Sequence, residues 1–384
     1  MTHRGLSAKF SVYFSFFIYS AALGAMFPRL GDLQIKMGIS EGTLGLALVG
    51  LPFGAQIALM FGGRVIEFLG YRKVMLLGIP LMGLSEVVAS TASTPLVFFL
   101  YLIVGGLGIG VVEVAVNLEA DRVEHQLGHR IMNRSHAFWS FGFFTAGFAG
   151  ATISQWEIDV TYHLIGFVIV TSLATFIVLL NYESAPSRQL TEGTSPTFVR
   201  PTKGIMMIVA FTLSAMLLEG AGIDWSVIFM RDTFQTAPFI SGLALAIGAL
   251  TQAIVRFFAD SYVDRFGTTT VARISIFTLG VGVVMVTFSP NFAIALIGFG
   301  LMGMGNSVVF PLAMSAAAQR TDRPAAVNVA ALAQLSFITF LIAPPLLGFI
   351  AEHFGIRVSF GIGIPLVVLS WFFVGSLASK STEK

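Results

Sequence analysis

Polar residues are rationed in this sequence, and the stretches between them are long enough to cross a lipid bilayer. A spanning helix needs about 20 mostly apolar residues. Twelve segments meet that length, at about 9–28, 43–66, 73–92, 95–120, 132–155, 160–181, 203–230, 237–263, 270–289, 291–319, 325–351 and 356–378. In hydrocarbon every backbone N–H and C=O must be satisfied within the segment, so such stretches fold as helices. Of the 384 residues 55% are hydrophobic and 11% are charged, where a soluble domain carries about 25% charge. The fold class expected is an all-α membrane protein of twelve transmembrane helices. The first segment is long and lacks a small-residue cleavage site, so it reads as a retained span.

The connections set the organisation. Pro95, Pro290, Pro324 and Gly355 mark tight turns between segments. One polar stretch is long, 181–203, with Pro186, Pro196 and Pro201. It divides the chain into a six-helix bundle at 1–181, a cytoplasmic linker at 182–202 and a second six-helix bundle at 203–384. With the N-terminus in the cytoplasm, only Arg29, Lys36, Arg231 and Arg357 of the 22 lysines and arginines fall outside. Cytoplasmic loops carry the excess of positive charge, which fixes this orientation and puts both termini in the cytoplasm. The net charge of +2 offers no basic footprint for nucleic acid. There is no cysteine, which excludes disulfides, thiol catalysis and thiolate metal sites.

The two halves repeat. The sequence from Gly63 to Lys73 joins segments 2 and 3, and that from Asp260 to Gly267 joins segments 8 and 9. Their glycines align with an offset of about 197, and Gly108-Ile109-Gly110 aligns with Gly303-Met304-Gly305 at about 195. Parallel repeats of this kind belong to transporters, with the site between them near the bilayer midplane. Segment 4 also holds Glu113 in an otherwise uncharged run. Ionisable groups at that depth are costly and mark function. Asn117 stands four residues on and shares its face.

The loop Gly63-x-x-x-Glu67-Phe68-x-Gly70-x-Arg72-Lys73 resembles the signature of the major facilitator superfamily, with Glu67 where Asp is usual. Asp264, Arg265 and Gly267 echo it, and Asp260 replaces the first glycine. The resemblance implies two rocking bundles in a bacterial inner membrane, with no cofactor and no metal. It also implies that Gly63, Glu67, Gly70, Arg72, Lys73, Asp260, Asp264 and Arg265 act in the conformational gate, bridging the halves on the inside. Gly108-x-Gly110-x-x-Glu113-x-x-x-Asn117 resembles helix 4 of the fucose:proton symporter branch. Asn133-x-x-His136-x-x-Trp139 resembles that branch's sugar-contacting helix 5. The branch's acid in helix 1 has no counterpart here, which leaves proton coupling to Glu113.

His136 lies at a depth similar to Glu113 on an antiparallel neighbour, so the two can share a proton. Trp139, three residues on, offers a flat face to a ring. Segment 7 carries Glu219-Gly220-Ala221-Gly222-Ile223-Asp224, which reads as a helix that bends at the cavity, with Glu219 the second coupling acid. Asp224 either meets substrate or pairs with Arg231, seven residues on. Helices 1, 4, 7 and 10 line the cavity in the superfamily, which adds Tyr19, Asn117 and Asn306 to the substrate set; the helix 5 resemblance adds Asn133 and Trp139, and Gln334 joins it as a polar group in mid-span. Arg256, two turns before Asp264, reads as a gate contact. Glu86 in segment 3 has no assigned role.

No Walker lysine, HExxH or nucleophile elbow is present, so no enzyme is expected. The reading is a monomeric, proton-coupled symporter of a small, polar, sugar-like solute. The alternative in the same superfamily is a multidrug or metabolite proton antiporter. That group carries Gly-x-x-x-Gly-Pro-x-x-Gly-Gly in helix 5, whereas Gly142 to Gly150 here lacks the proline. A non-transporting sensor is the third reading.

Overall fold

A computed structural model describes residues 2–186 and 200–378. Most of the linker, with Arg188 and Pro196, and the tail with Lys380 and Lys384 lie outside the described residues. The described chain is helical throughout, in twelve passes. The first six are α1 (Thr2–Gly24, continued by Leu30–Met37), α2 (Glu41–Leu48 and Gly50–Leu69), α3 (Tyr71–Ala89), α4 (Pro95–Leu127), α5 (Met132–Gln155) and α6 (Val160–Leu179). The second six are α7 (Lys203–Phe234), α8 (Pro238–Phe266), α9 (Thr268–Thr287), α10 (Phe292–Asn306 and Val309–Ala318), α11 (Ala325–Phe354) and α12 (Ile356–Gly361 and Gly363–Phe373). Ten of the passes are long and apolar enough to cross a membrane. The exceptions are α3 and α5; the first turns of α5 hold Asn133, Arg134, Ser135 and His136.

Helix starts follow local chemistry. Ser40, Thr94, Thr202 and Asn291 each accept a hydrogen bond from the backbone N–H three residues on, satisfying a donor that the first turn leaves open. Pro95 and Pro238 stand in the first turn, where no N–H is needed. Two expectations change. α4 runs on to Leu127, past the apolar zone, and stops where Gly128 turns left-handed. α7 does not bend at Gly220 and Gly222. It is one continuous helix, with Gly220 facing Phe340 and Ala343 of α11. The interruptions fall in α1, at the turn before Phe27, in α2 at Val49, in α10 at Ser307–Val308 and in α12 at Ile362.

α1–α6 form one bundle and α7–α12 the other, and the repeat is visible in the backbone. Gly70 has φ 77 and ψ 155, and Gly267 has φ 79 and ψ 151, each between the second and third helix of its half. The offset of 197 therefore holds in conformation. The offset of 195 does not hold in packing. Gly110 faces α2 through Ala55 and Ala58, whereas Gly305 faces α9 through Leu279. Gly303, which lies against the Gly248 carbonyl of α8, is the packing counterpart of Gly110. Two residues along a helix turn the side-chain direction by about 200°, so a shift of two changes the neighbour.

The bundles meet in two seams. α5 and α8 pack along their whole length: Asn133 donates to Asp260 at one end, Gly147 faces Ala246 near the middle, and the Phe239 amide donates to Gln155 Oε1 at the other (3.2 Å). α2 and α11 meet chiefly through the first part of α2. There Gly45 lies on the Pro344–Pro345 backbone, and the Ser40 hydroxyl (2.9 Å) and Gly42 amide (3.0 Å) both donate to Glu352. Arg231 reaches from α7 to Gly31 O (2.9 Å) and Gln34 Oε1 (2.8 Å) and also pairs with Asp232, so it does not pair with Asp224. The molecule is closed at this far end. It opens between α2 and α11 toward the end that carries the start of α1, the terminal end.

Acids latch the described ends of the linker to the bundles. Buried Glu119 accepts from Tyr182 Oη (2.6 Å) and the Ala185 amide (2.8 Å). Asp322 accepts from Thr202 Oγ1 and Asn328 Nδ2, both at 2.9 Å. Desolvation pushes the Asp322 carboxyl up, but the hydrogen bonds from Asn328, Thr202 and Arg320 outweigh it and bring it down to about 2 from 3.8. A depressed carboxylate stabilises the fold above its ordinary value, and this contribution is lost as pH falls toward about 2. The stability gap between the wild type and Asp322→Asn, read by thermal unfolding in detergent, is expected to narrow over that window. Gly70→Ala and Gly267→Ala are expected to cost about 1–3 kcal/mol each, because only glycine is at ease at those angles. Gly63→Ala, where an added Cβ meets open space, should leave the same melting curve unmoved.

Candidate functional site

The seams enclose a central cavity of about 320 Å³. Its floor is apolar and aromatic. Trp139 stacks on Phe143 (5.3 Å), and Phe27 tilts against the same ring (5.5 Å). On the other side Phe337 stands between Phe310 (5.8 Å) and Phe340 (6.0 Å). Between these two aromatic walls the polar groups form two clusters.

The first cluster is held by α1 and α4. Asn117 Nδ2 donates to Glu113 Oε1 (2.9 Å) and also to the Glu113 carbonyl, as the four-residue spacing predicts. The buried Tyr19 hydroxyl donates to the same carboxyl. The second cluster sits on the α5–α8 seam. Glu219 accepts from Gln252 Nε2 (2.8 Å) and lies 3.5 Å from Arg256 Nη2. Arg256 also donates to Ser140 Oγ (2.9 Å) and to Ser307 O (3.0 Å), and Ser140 donates to Gln252 Oε1 (3.1 Å). One guanidinium thus joins both bundles. It also lies within electrostatic reach of Glu113 and of His136.

The residues singled out in the sequence separate accordingly. Tyr19, Glu113, His136, Trp139, Glu219 and Asp224 all line the cavity. Asn306 lines a side pocket of about 50 Å³ beside Glu219 and Gln252, with its Oδ1 unpartnered. Glu113 and His136 share the cavity but make no hydrogen bond to each other; the His136 ring stands edge-on to Phe16 at 5.1 Å. Asn133 is not in the wall. It is at the terminal end of the seam, bonded to Asp260 of the other bundle. Gln334 is not among the lining residues. Arg256, read as a gate contact, faces the cavity instead, because it extends from mid-α8 toward Glu219. Glu67, Arg72, Lys73, Asp264 and Arg265 are exposed at the terminal end, and among the described residues none of them joins an ion pair. Glu86 is buried outside the cavity with Oε2 unpartnered.

Gln252 and Ser140 were not singled out for the site. A signal existed: Gln252 precedes Arg256 by four residues and His136 precedes Ser140 by four, the same spacing that linked Glu113 to Asn117.

Two six-helix bundles around a central cavity, closed at one end and open at the other, define a membrane transporter, not an enzyme. The chain belongs to the Major Facilitator Superfamily, which it matches over residues 6–224 and again over 207–384. It is similar to an uncharacterized MFS-type transporter of Yersinia pestis, 28% identical over 93% of this chain and 92% of that one. It is also similar to the quinolone resistance protein NorA of Staphylococcus aureus, 21% identical over 76% of each. Among solved structures a D-xylose-proton symporter aligns with a TM-score of 0.77 at 14% identity, over 99% of both chains. The E. coli fucose:proton symporter aligns at 0.64 and 15%, over 98% of this chain and all of that one.

The pairing of Arg256 with Glu219 makes a sharp expectation. Arg256→Gln leaves a carboxylate without its partner inside the membrane and should cost about 3 kcal/mol. The double variant Arg256→Gln/Glu219→Gln should recover most of that loss in thermal unfolding. A double variant no more stable than the single one would show that the pair is not the source of the effect.

Proposed function

We propose that this chain is a proton-coupled secondary transporter of a small, polar, sugar-like solute, working by alternating access with both termini in the cytoplasm. The observation that carries the reading is Glu113, an acid in the cavity wall held by a neutral hydroxyl and a neutral amide. Among the described residues no cation is bonded to it, so it is free to take up and release a proton as the cavity changes sides. The terminal end is then the cytoplasmic end, and the molecule faces inward. The gate residues support this assignment: among the described residues Glu67 and Arg72 join no ion pair on the side that is open, and their pairing across the halves would belong to the outward-facing state. Only a few kcal/mol separate such states, so a handful of ion pairs set the resting population. The protein acts as a monomer, since one chain encloses the whole cavity.

Symport is preferred on the resemblance of the Gly108–Asn117 run to the fucose:proton symporter branch and on the absence of the helix 5 proline. Export by antiport is the second reading, favoured by the similarity to NorA. Proteoliposomes separate the two. Glu113→Gln is expected to keep solute exchange and to lose uphill accumulation driven by a proton gradient. Accumulation at the wild-type level in that variant would remove Glu113 from coupling. Accumulation driven only by an outwardly directed proton gradient, acid inside, would favour antiport and so export.

A further inference from the structure

The hydrogen-bonding groups of the cavity are unequally engaged, and the imbalance specifies what a solute must bring. The donors beside the acids are occupied, while Gln56, His136 and Trp139 also line the cavity with no side-chain hydrogen bond among the described residues. Arg256 serves Glu219, Ser140 and Ser307; Gln252 serves Glu219; Asn117 and Tyr19 serve Glu113. The groups left over include acceptors with no donor. Asp224 lines the cavity and, among the described residues, no hydrogen bond or ion pair reaches it. Asn306 Oδ1 is buried and unpartnered in the adjoining side pocket. Among the lining side chains Glu113, Glu219 and Asp224 are acidic, while Arg256 and His136 are the basic ones.

Asp224 shares the cavity lining with Phe310, Phe337 and Phe340. Gly220, one turn before Asp224 on the same face of α7, faces Phe340, whose ring continues into Phe337 and Phe310. A cation over such faces gains about 0.5–2 kcal/mol, more as water is excluded. A carboxylate-bearing solute finds no free guanidinium or ammonium here. A neutral polyol leaves the Asp224 charge without a counter-ion.

We propose that the solute carries a protonated amino group, received by Asp224 against the Phe337–Phe340 faces, with its uncharged remainder between these rings and the Trp139–Phe143 stack. This rests on the transport reading of the same cavity and narrows its solute to an amine-bearing one, an amino sugar or a ring-bearing amine of similar size.

The test is equilibrium binding to the purified full-length chain in detergent, read as a shift in melting temperature. The probes are matched pairs: glucosamine with N-acetylglucosamine, tyramine with N-acetyltyramine, and phenethylamine with N-acetylphenethylamine. Glucuronate serves as the anionic control. At least one amine is expected to stabilise the protein while its acetylated partner and glucuronate do not. Asp224→Asn should weaken that amine about 30-fold or more, and Glu86→Gln, a buried acid outside the cavity, should leave it within twofold. Equal binding by an acetylated partner, undiminished binding by Asp224→Asn, or no shift with any amine of the panel would each overturn the proposal. If Asp224→Asn does not fold, the comparison of each amine with its acetylated form in the wild type decides alone. No gradient is present in this assay, so its failure is distinct from a failure of proton coupling, which Glu113→Gln reads in vesicles.

Discussion

The guanidinium of Arg256 is the group on which the interior of this protein depends. A charge at membrane depth persists only when it is paired and its hydrogen bonds are met. Arg256 meets that condition by holding Glu219 on α7, Ser307 on α10 and Ser140 on the opposite bundle. The pairing sets the position of Glu219 and, through Gln252, closes a ring of polar contacts across the α5–α8 seam. The same contacts leave Glu113 with neutral partners only. Two acids in one cavity therefore differ: one is fixed in an ion pair, the other is held by neutral groups.

The seams divide the mechanical work. α5 and α8 stay together from Asn133–Asp260 to Gln155–Phe239, which suits an axis about which the bundles rock. α2 and α11 meet chiefly at one end, where Gly45 admits the Pro344–Pro345 backbone and Glu352 collects two donors from the start of α2. These are few and local bonds. Interhelical hydrogen bonds in membranes average about 0.6 kcal/mol, so a closure of this size is strong enough to define a state and weak enough to be undone. Arg231, with Gly31 and Gln34, adds a second tie at the same end. The linker latches at Glu119 and Asp322 lie at the opposite end and fasten each linker terminus to its own bundle, so they do not oppose the rocking.

Much of this was legible in the sequence because bilayer physics leaves few options. Apolar length dictated twelve helices, since lipid offers the backbone no other partner. The Gly70 and Gly267 repeat was readable because a left-handed turn between helices demands glycine, and the structure gives both the same angles. Glu113 and Asn117 were readable because a helix brings residues four apart together. The misreadings share a cause. Arg256 was placed by its distance along the chain from Asp264, Asn133 by likeness to a helix in another branch, and the Asp224–Arg231 pair by spacing on one helix. In each case the partner came from a different helix.

The sequence by itself determined the membrane class, the duplicated plan, several helix starts and the presence of an acid where acids are costly, because each of these rests on local composition or on contacts within one helix. Only the tertiary structure decided which acid has a cation, which has neutral partners and which has none. It also decided that the cavity is shut on the Glu352 side. Those outcomes depend on distances between α1, α4, α5, α7 and α8, and side-chain spacing along one helix carries no information about the rotation and depth of its neighbours.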